Sequence, residues 1–248
     1  MEILYLMPGS GMPPEEIRRR EEVANSIARN SSIITVTEVG EGPLSIESAI
    51  EEYMSIGPML EYMLDKRIED SYNAVIIGCA GDPGLKPARE LLDIPIIGPA
   101  ESSYLFACMI SDRFSILSTL QAGVPSDSDW RVKMREMSLE PRLASVEFIE
   151  LSVTDMWGKN AEKTANQIEK CVQSAVEKGA GSVVLGCMSM AFLLVDEIVH
   201  IKEAPIVNPL KTAIKTAETL VDLNARHSRS TYPAADFDKL RRTLFTKD

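Results

Sequence analysis

With 248 residues, 45% of them hydrophobic, the chain is long enough to bury the core of one large domain or of two small lobes. Its formal charge of −11 repels polyanions, and its single basic cluster, Arg18-Arg19-Arg20, alternates with Glu15, Glu16, Glu21 and Glu22 and reads as a solvated helix face, so no nucleic-acid partner is expected. No apolar run approaches the ~18 residues of a membrane span and the amino terminus lacks a basic-then-apolar leader, which reads as a soluble, cytoplasmic protein with no membrane partner.

Strand and helix patterns alternate along the whole chain, the signature of an α/β fold with parallel sheets. Residues 2–7 read as a strand. A turn at Met12-Pro13-Pro14 leads into a charged amphipathic helix reaching Asn30, and 32–39 is the second strand. Ser45 to Glu69 is helical, with a kink or break expected at Gly57-Pro58. A β-branched run over 74–79 then ends in Gly78-Cys79. Asp82-Pro83 reads as an N-cap followed by proline at the first helical position, a role Pro87 would fill for a helix starting one turn later. A strand at 95–98 and a helix at 100–111 close this series.

The second series opens with a strand at 113–119. The polar loop containing Gln121, Gly123, Pro125, Ser126 and Ser128 is a candidate lid, with an inert surface connection as the alternative. A helix from Asp129 to Met137, a strand at 144–151 and a helix from Asn160 to Lys178, stopped by Gly179, come next. A strand at 182–187 ends in Gly186-Cys187. Ser189 is a candidate cap for an apolar helix from Met190 to Val199, and a strand at 205–208 comes after it. Pro209 starts a helix with Leu210, Ala213, Ile214, Ala217, Leu220 and Val221 on one stripe. The tail from His227 to Asp248, with Tyr232, Phe237, Leu240 and Phe245, packs on the body or contacts another subunit.

The two series echo each other. Ala74–Cys79 is repeated 108 residues later by Ser182–Cys187, 94–98 by 204–208, and 3–7 by 114–118. A period of roughly 110 residues is too long for a solenoid and indicates two copies of one α/β unit. The expected architecture is therefore two pseudo-symmetric lobes, each a short parallel sheet flanked by helices, with the active site in the cleft between them. Residues 1–99 with the carboxyl-terminal helix and tail, 208–248, form the first lobe, and residues 100–207 the second. Across a pseudo-twofold axis, Cys79 and Cys187 would face each other.

That pairing carries the chemistry. A thiol at the carboxyl edge of a parallel strand sits where open α/β sheets bind ligands, and a helix amino terminus just beyond it stabilises a thiolate or an anionic ligand group. Acid/base groups on opposite sides of a ligand are what inversion of a carbon centre by proton transfer requires: one removes a proton, and the other delivers one to the opposite face. The transient enolate needs N–H and hydroxyl donors, for which the residues around the Gly-Cys turns, Ala80, Gly81, Met188 and Ser189, and Ser118-Thr119 at another strand end are the candidates; Pro8, Gly9 and Ser10 at the end of the first strand are counted with them as substrate-binding positions. Asp82 reads as a cap rather than an acid. Cys108 and Cys171 read as small core residues, and His200 and His227 have no partner at metal-ligand spacing, so no metal is expected.

The ordered set Gly78-Cys79-Ala80-Gly81-Asp82-Pro83-Gly84-Leu85, Arg89-Glu90, Ile94-Pro95-Ile96-Ile97-Gly98, Glu101, Arg113-Phe114-Ser115 and Leu185-Gly186-Cys187 resembles the hydantoin racemase branch of the aspartate/glutamate racemase superfamily. The resemblance spans 2–225 and is most specific over 78–101. It implies a duplicated α/β fold, catalytic cysteines at Cys79 and Cys187, no pyridoxal phosphate or other cofactor, and a small-molecule substrate such as a hydantoin, an amino acid or a related carboxylate; a homo-oligomer is expected. Two departures bear on substrate. Met7-Pro8-Gly9-Ser10 stands where many such racemases carry Asn-Pro-Asn, and Asn208-Pro209 where they often carry Asp-Gly, both read as lying around the pocket. The rival readings are an aspartate/glutamate racemase or cis-trans isomerase of the superfamily, an arylmalonate-type decarboxylase, which keeps only the second cysteine, and a non-catalytic sensor.

Overall fold

The computed structural model describes residues 1–65, 68–194, 200–201 and 204–244. Its β-branched runs pair into two separate sheets. In the first, β1 (Glu2–Met7) lies between β2 (Ile33–Glu38) and β3 (Ala74–Ile77), and β4 (Ile96–Ile97) joins the far side of β3, all parallel. The second repeats this order: β5 (Phe114–Thr119) lies between β6 (Leu143–Ile149) and β7 (Ser182–Leu185). After β7, β8 (His200–Ile201) pairs antiparallel on the outer edge of β9 (Ala204–Val207), which itself lies parallel to β7. Register is repeated as well: Ile3 pairs with Ala74 in one sheet as Phe114 pairs with Ser182 in the other. This is the duplicated α/β fold expected from the sequence.

Each central strand is buried on both faces because helices cover both, which is why these strands read as continuous apolar runs rather than alternating ones. On one face of the first sheet, Ile3, Tyr5, Ala74 and Ile76 pack against α1 (Pro14–Ile27) through Ala24. On the other, Leu4, Leu6, Val75 and Ile77 meet α2 (Ala49–Asp65) through Met59 and Met63, and α3 (Leu85–Leu91) through Leu85 and Ala88. In the second sheet Phe114, Ile116 and Val184 pack on α4 (Pro99–Ile110) and on Trp130 and Met134 of α5 (Ser128–Glu136). Leu117, Val183 and Leu185 pack on Ile168, Val172 and Ala175 of α6 (Ala161–Glu177). Two later helices return to the first sheet: α7 (Met188–Leu193) with Phe192, and α8 (Pro209–Asp222) with the expected stripe of Leu210, Ala213, Ile214 and Ala217.

Several local expectations are corrected. β3 and β7 stop at Ile77 and Leu185, so each Gly-Cys pair lies beyond its strand. α2 runs without a break through Pro58. Proline at position 58 leaves the Met54 carbonyl without its helical N–H partner, at a residue that is 64% exposed. The expected extension of that helix to Glu69 crosses residues 66–67, outside the described residues, and Ile68–Asp70 is a 3-10 turn. α3 starts at Leu85 behind a left-handed Gly84, with Pro87 inside its first turn; Asp82 does not cap it. Cys187, not Ser189, holds the N-cap position of α7. The helix expected to reach Val199 enters residues 195–199, outside the described residues, as does Phe245 of the tail. Residues 246–248 are also outside the described residues. Before them the tail, which includes α9 (Phe237–Leu244), touches the body at several points: His227 Nε2 accepts the Ile96 N–H at 2.8 Å, Tyr232 accepts from Arg89 at 3.1 Å, and Leu240 packs partly buried against the core of the first sheet.

Candidate active site

Both Gly-Cys turns are built the same way. The Gly78 N–H donates to the Leu6 carbonyl at 2.7 Å and the Gly186 N–H to the Leu117 carbonyl at 2.6 Å, extending each ladder one bond past its strand. A side chain at Gly78 would place Cβ 2.8 Å from the Met7 Cα, and one at Gly186 would place it 2.9 Å from Ile116 Cγ2. Only glycine fits so close to the neighbouring strand. The cysteine that comes next leaves the sheet at its carboxyl edge.

Between the two edges lies an open-sided cavity of about 110 Å³. Cys79 and Cys187 both line it, and so do the nine residues read as substrate-binding: Pro8, Gly9, Ser10, Ala80, Gly81, Ser118, Thr119, Met188 and Ser189. Cys108 and Cys171 do not. Cys108, on α4, packs partly buried against the core of the second sheet, and the Cys171 thiol donates to the Phe148 carbonyl at 3.4 Å. Asn208 also lies off the cavity, contrary to its reading as a pocket position. It caps α8, accepting from the Leu210 N–H at 2.9 Å, and donates to the Ala191 carbonyl at 3.0 Å. Glu101 is likewise away from the cavity, paired with Arg89. The candidate lid is a tight turn in which Gln121 and Val124 bond each other and the Ala122 N–H donates to the Glu47 carbonyl at 2.7 Å; only Gln121 of its residues lines the cavity.

The largest correction concerns Arg20. The cluster read as a solvated helix face sends this guanidinium inward, 3% exposed, where it lies 4.9 Å over the Phe192 ring. It donates to Glu16 Oε1 at 2.9 Å and to Ser189 Oγ at 2.8 Å. The signal was present at helical spacing: Glu16, Arg20 and Ala24, four residues apart, are the buried residues of α1. Glu38, Glu52, Trp130 and Trp157 also line the cavity and were not singled out from the sequence. The last two are the only tryptophans in the chain, a composition signal left unused.

The thiols share burial but differ in company. Cys79 is pushed up to about 12 by burial; the Gly81 N–H, 3.4 Å from its sulfur, opposes that shift, while the Glu52 carboxylate adds to it. Cys187 is also raised by burial, but the N–H groups of Met190 and Ser189 and the Arg20 cation all pull it back. Glu52 itself is raised by burial, with Asp129 and Asp82 adding to the shift and Lys133 opposing it. Charged and polar groups thus converge on an otherwise apolar cavity, which is the arrangement acid/base chemistry uses.

Matched sheets, each presenting a thiol at the same edge of one small cavity, define a two-lobed small-molecule enzyme. Residues 17–217 match the family described as Asp/Glu/Hydantoin racemase, and the chain belongs to this family. It is 32% identical over 210 residues to a hydantoin racemase from Pseudomonas sp. (strain NS671), covering 84% of this chain and 82% of that one. Its structure matches an allantoin racemase from Klebsiella pneumoniae with a TM-score of 0.84 at 26% identity, over 95% of this chain and 94% of that one. A glutamate racemase from Bacillus anthracis shares the fold at a TM-score of 0.59 and 14% identity, over 98% and 93% of the two chains. The chain is a racemase, hence an isomerase. No described helix is long and apolar enough to cross a membrane.

Proposed function

We propose that this racemase inverts the ring Cα of a hydantoin-type substrate, the class named for its hydantoin and allantoin racemase relatives, with Cys79 and Cys187 as the two bases. The observation that carries the reading is the placement of these two thiols, at equivalent strand ends, on one cavity. One thiolate takes the Cα proton and becomes a thiol. The electron pair of the broken C–H bond moves into the neighbouring carbonyl as an enolate, and the opposing thiol then protonates the other face and becomes a thiolate. Ser118, Thr119 and Ser189 offer hydroxyls toward the enolate oxygen. Because Ser189 Oγ already accepts from Arg20, its own proton is left to donate elsewhere.

Charge favours a neutral ring over aspartate or glutamate. The charged residues lining the cavity are Arg20, Glu38 and Glu52, and Arg20 is already paired with Glu16. Glu38 accepts the N–H groups of Gly11 and Met12 but has no ion-pair partner among the described residues, so a dicarboxylate would meet like charge there and at Glu52, whereas ring N–H groups would meet acceptors.

The test is proton NMR in deuterium oxide with resolved enantiomers of a 5-substituted hydantoin, on Cys79→Ala and Cys187→Ala. Each variant loses inversion by at least about 100-fold. Each retains exchange of one enantiomer, because the remaining thiolate can remove a proton and return a deuteron to the same face, and the two variants prefer opposite enantiomers. Inversion surviving in either variant would show that another residue is one of the bases.

A further inference from the structure

The two cysteines occupy equivalent places in a repeated fold, yet the side chains beside them carry opposite charge. On the Cys187 side stands Arg20, buried and fixed by Ser189 Oγ at 2.8 Å, two residues beyond the thiol. On the Cys79 side stands Glu52 of α2. A Cβ built on Gly81 would lie 3.4 Å from Glu52 Oε2 and 3.5 Å from Cys79 Sγ, so carboxylate and sulfur flank the same small gap. Glu52 and Arg20 line the same cavity.

We propose that Arg20 and Glu52 are positioning residues that decide which sulfur of the pair gives up its proton first, making Cys187 the base and leaving the proton on Cys79 as the acid. A cation beside one sulfur and an anion beside the other bias a single shared proton in the same direction. The remaining charged groups do not reverse this: Arg20 is paired with Glu16 at 2.9 Å, yet it is still the largest charge acting on Cys187, ahead of Glu47. Cys79 is faced by Glu52, Lys133 and Cys187, and Cys187 by Arg20 and Glu47. Lys133 opposes Glu52 at Cys79 but is the weaker of the two there. Tyr5 and Tyr104, buried nearby, are held neutral by burial.

The inference rests on the two-base reading and fixes its direction. The enantiomer whose Cα–H points at Cys187 meets a ready base. Turnover leaves the proton on Cys187 and a thiolate at Cys79, and the enzyme returns to rest by exchanging protons with solvent or by turning over the opposite enantiomer.

The test is alkylation of the substrate-free enzyme by iodoacetamide across pH, with the rate at each cysteine resolved by peptide mass spectrometry. The midpoint of each rate profile reports ionisation rather than access. The midpoint for Cys187 is expected to lie below that for Cys79 by about one pH unit or more. Glu52→Gln, which removes the charge and keeps the shape, should lower the Cys79 midpoint and narrow the gap, while Glu52→Asp should keep it. A Cys79 midpoint at or below that of Cys187 in the wild type, or one unmoved by Glu52→Gln, overturns the proposal. Failure here alongside loss of inversion in both alanine variants would remove only the assignment of the resting proton. Inversion retained in an alanine variant would instead remove the two-base reading itself.

Discussion

Replacing Asp82 by alanine should destabilise the chain by about 2 kcal/mol, and the structure supplies each part of that figure. Asp82 sits three residues past Cys79, but its carboxylate caps α4: Oδ1 accepts the Ala100 N–H at 2.9 Å and Oδ2 the Glu101 N–H at 2.8 Å. The N-cap position of that helix is Gly98, which has no side chain to accept these N–H groups, and a Cβ there would collide with the Asp82 carboxylate. Losing the cap costs roughly 1–2 kcal/mol. Asp82 also has φ +53°, a left-handed conformation that Asp and Asn tolerate and that costs alanine about 1 kcal/mol. Burial of the carboxylate works the other way, raising its pKa, and its removal offsets part of the loss. Asp82→Asn keeps the left-handed preference and one acceptor oxygen, so it should lose about half as much. The assay is urea unfolding followed by far-UV circular dichroism, comparing midpoints at constant slope. The Asp82 N–H, which alanine keeps, donates to the Cys79 carbonyl at 3.1 Å, so relaxation of the left-handed turn in Asp82→Ala carries Cys79 with it and kcat should fall with stability. A loss below about 0.5 kcal/mol in Asp82→Ala, or an asparagine variant as damaged as the alanine one, would refute the capping argument.

Gly78→Ala and Gly186→Ala should each abolish measurable inversion, since an added Cβ meets main-chain atoms at 2.8 Å in the first case and 3.0 Å in the second, and the adjoining cysteine must shift; activity within about tenfold of wild type would contradict this. His227 makes stability depend on pH. Burial, with Arg89 adding to it, lowers its pKa from 6.5 to about 4, so between these values the unfolded chain binds a proton that the folded chain does not. Stability should therefore fall as pH drops through 6.5 toward 4, and His227→Ala should flatten that slope in denaturation midpoints measured at pH 7 and pH 5. An unchanged slope in the variant would show that the buried His227 does not control it.

The repeat was legible in the sequence because a strand buried on both faces must be apolar throughout, and Ala74–Ile77 and Ser182–Leu185 both meet that requirement before ending in Gly-Cys. The small and hydroxyl-bearing residues that line the cavity were picked out from those strand ends. The charges were not. Arg20 lies in a stretch of alternating charges whose local pattern gives solvent exposure, and only the partners brought by other elements, Ser189 and Phe192 on α7, turn it inward. Glu52 faces the same limit: an acidic residue near the start of a helix is the ordinary dipole partner, and nothing within α2 shows that the turn after β3 will be packed against it. Asp82 was legible as a cap but not as the cap of a helix starting seventeen residues later, because a side chain that leaves its own turn is invisible to local rules.

The chain just beyond each cysteine explains how one fold unit used twice yields two different thiols. After Cys187 the chain enters α7 at once, with Cys187 itself at the N-cap position, so the N–H groups of Ser189 and Met190 favour its thiolate. After Cys79 a turn of five residues, Ala80 to Gly84, comes before α3, and the one N–H facing the sulfur is that of Gly81, at 3.4 Å. The glycines that precede the cysteines are held by the same ladder bond in both copies, so the difference begins at the sulfur and not in the sheet. A racemase has to treat both faces of one carbon, which the repeated sheets provide, and at rest it must also have one base ready and one acid loaded. Equal surroundings would leave that choice undetermined. The longer turn after Cys79, together with Glu52 beside it and Arg20 on the other side, breaks the symmetry only where the proton is held.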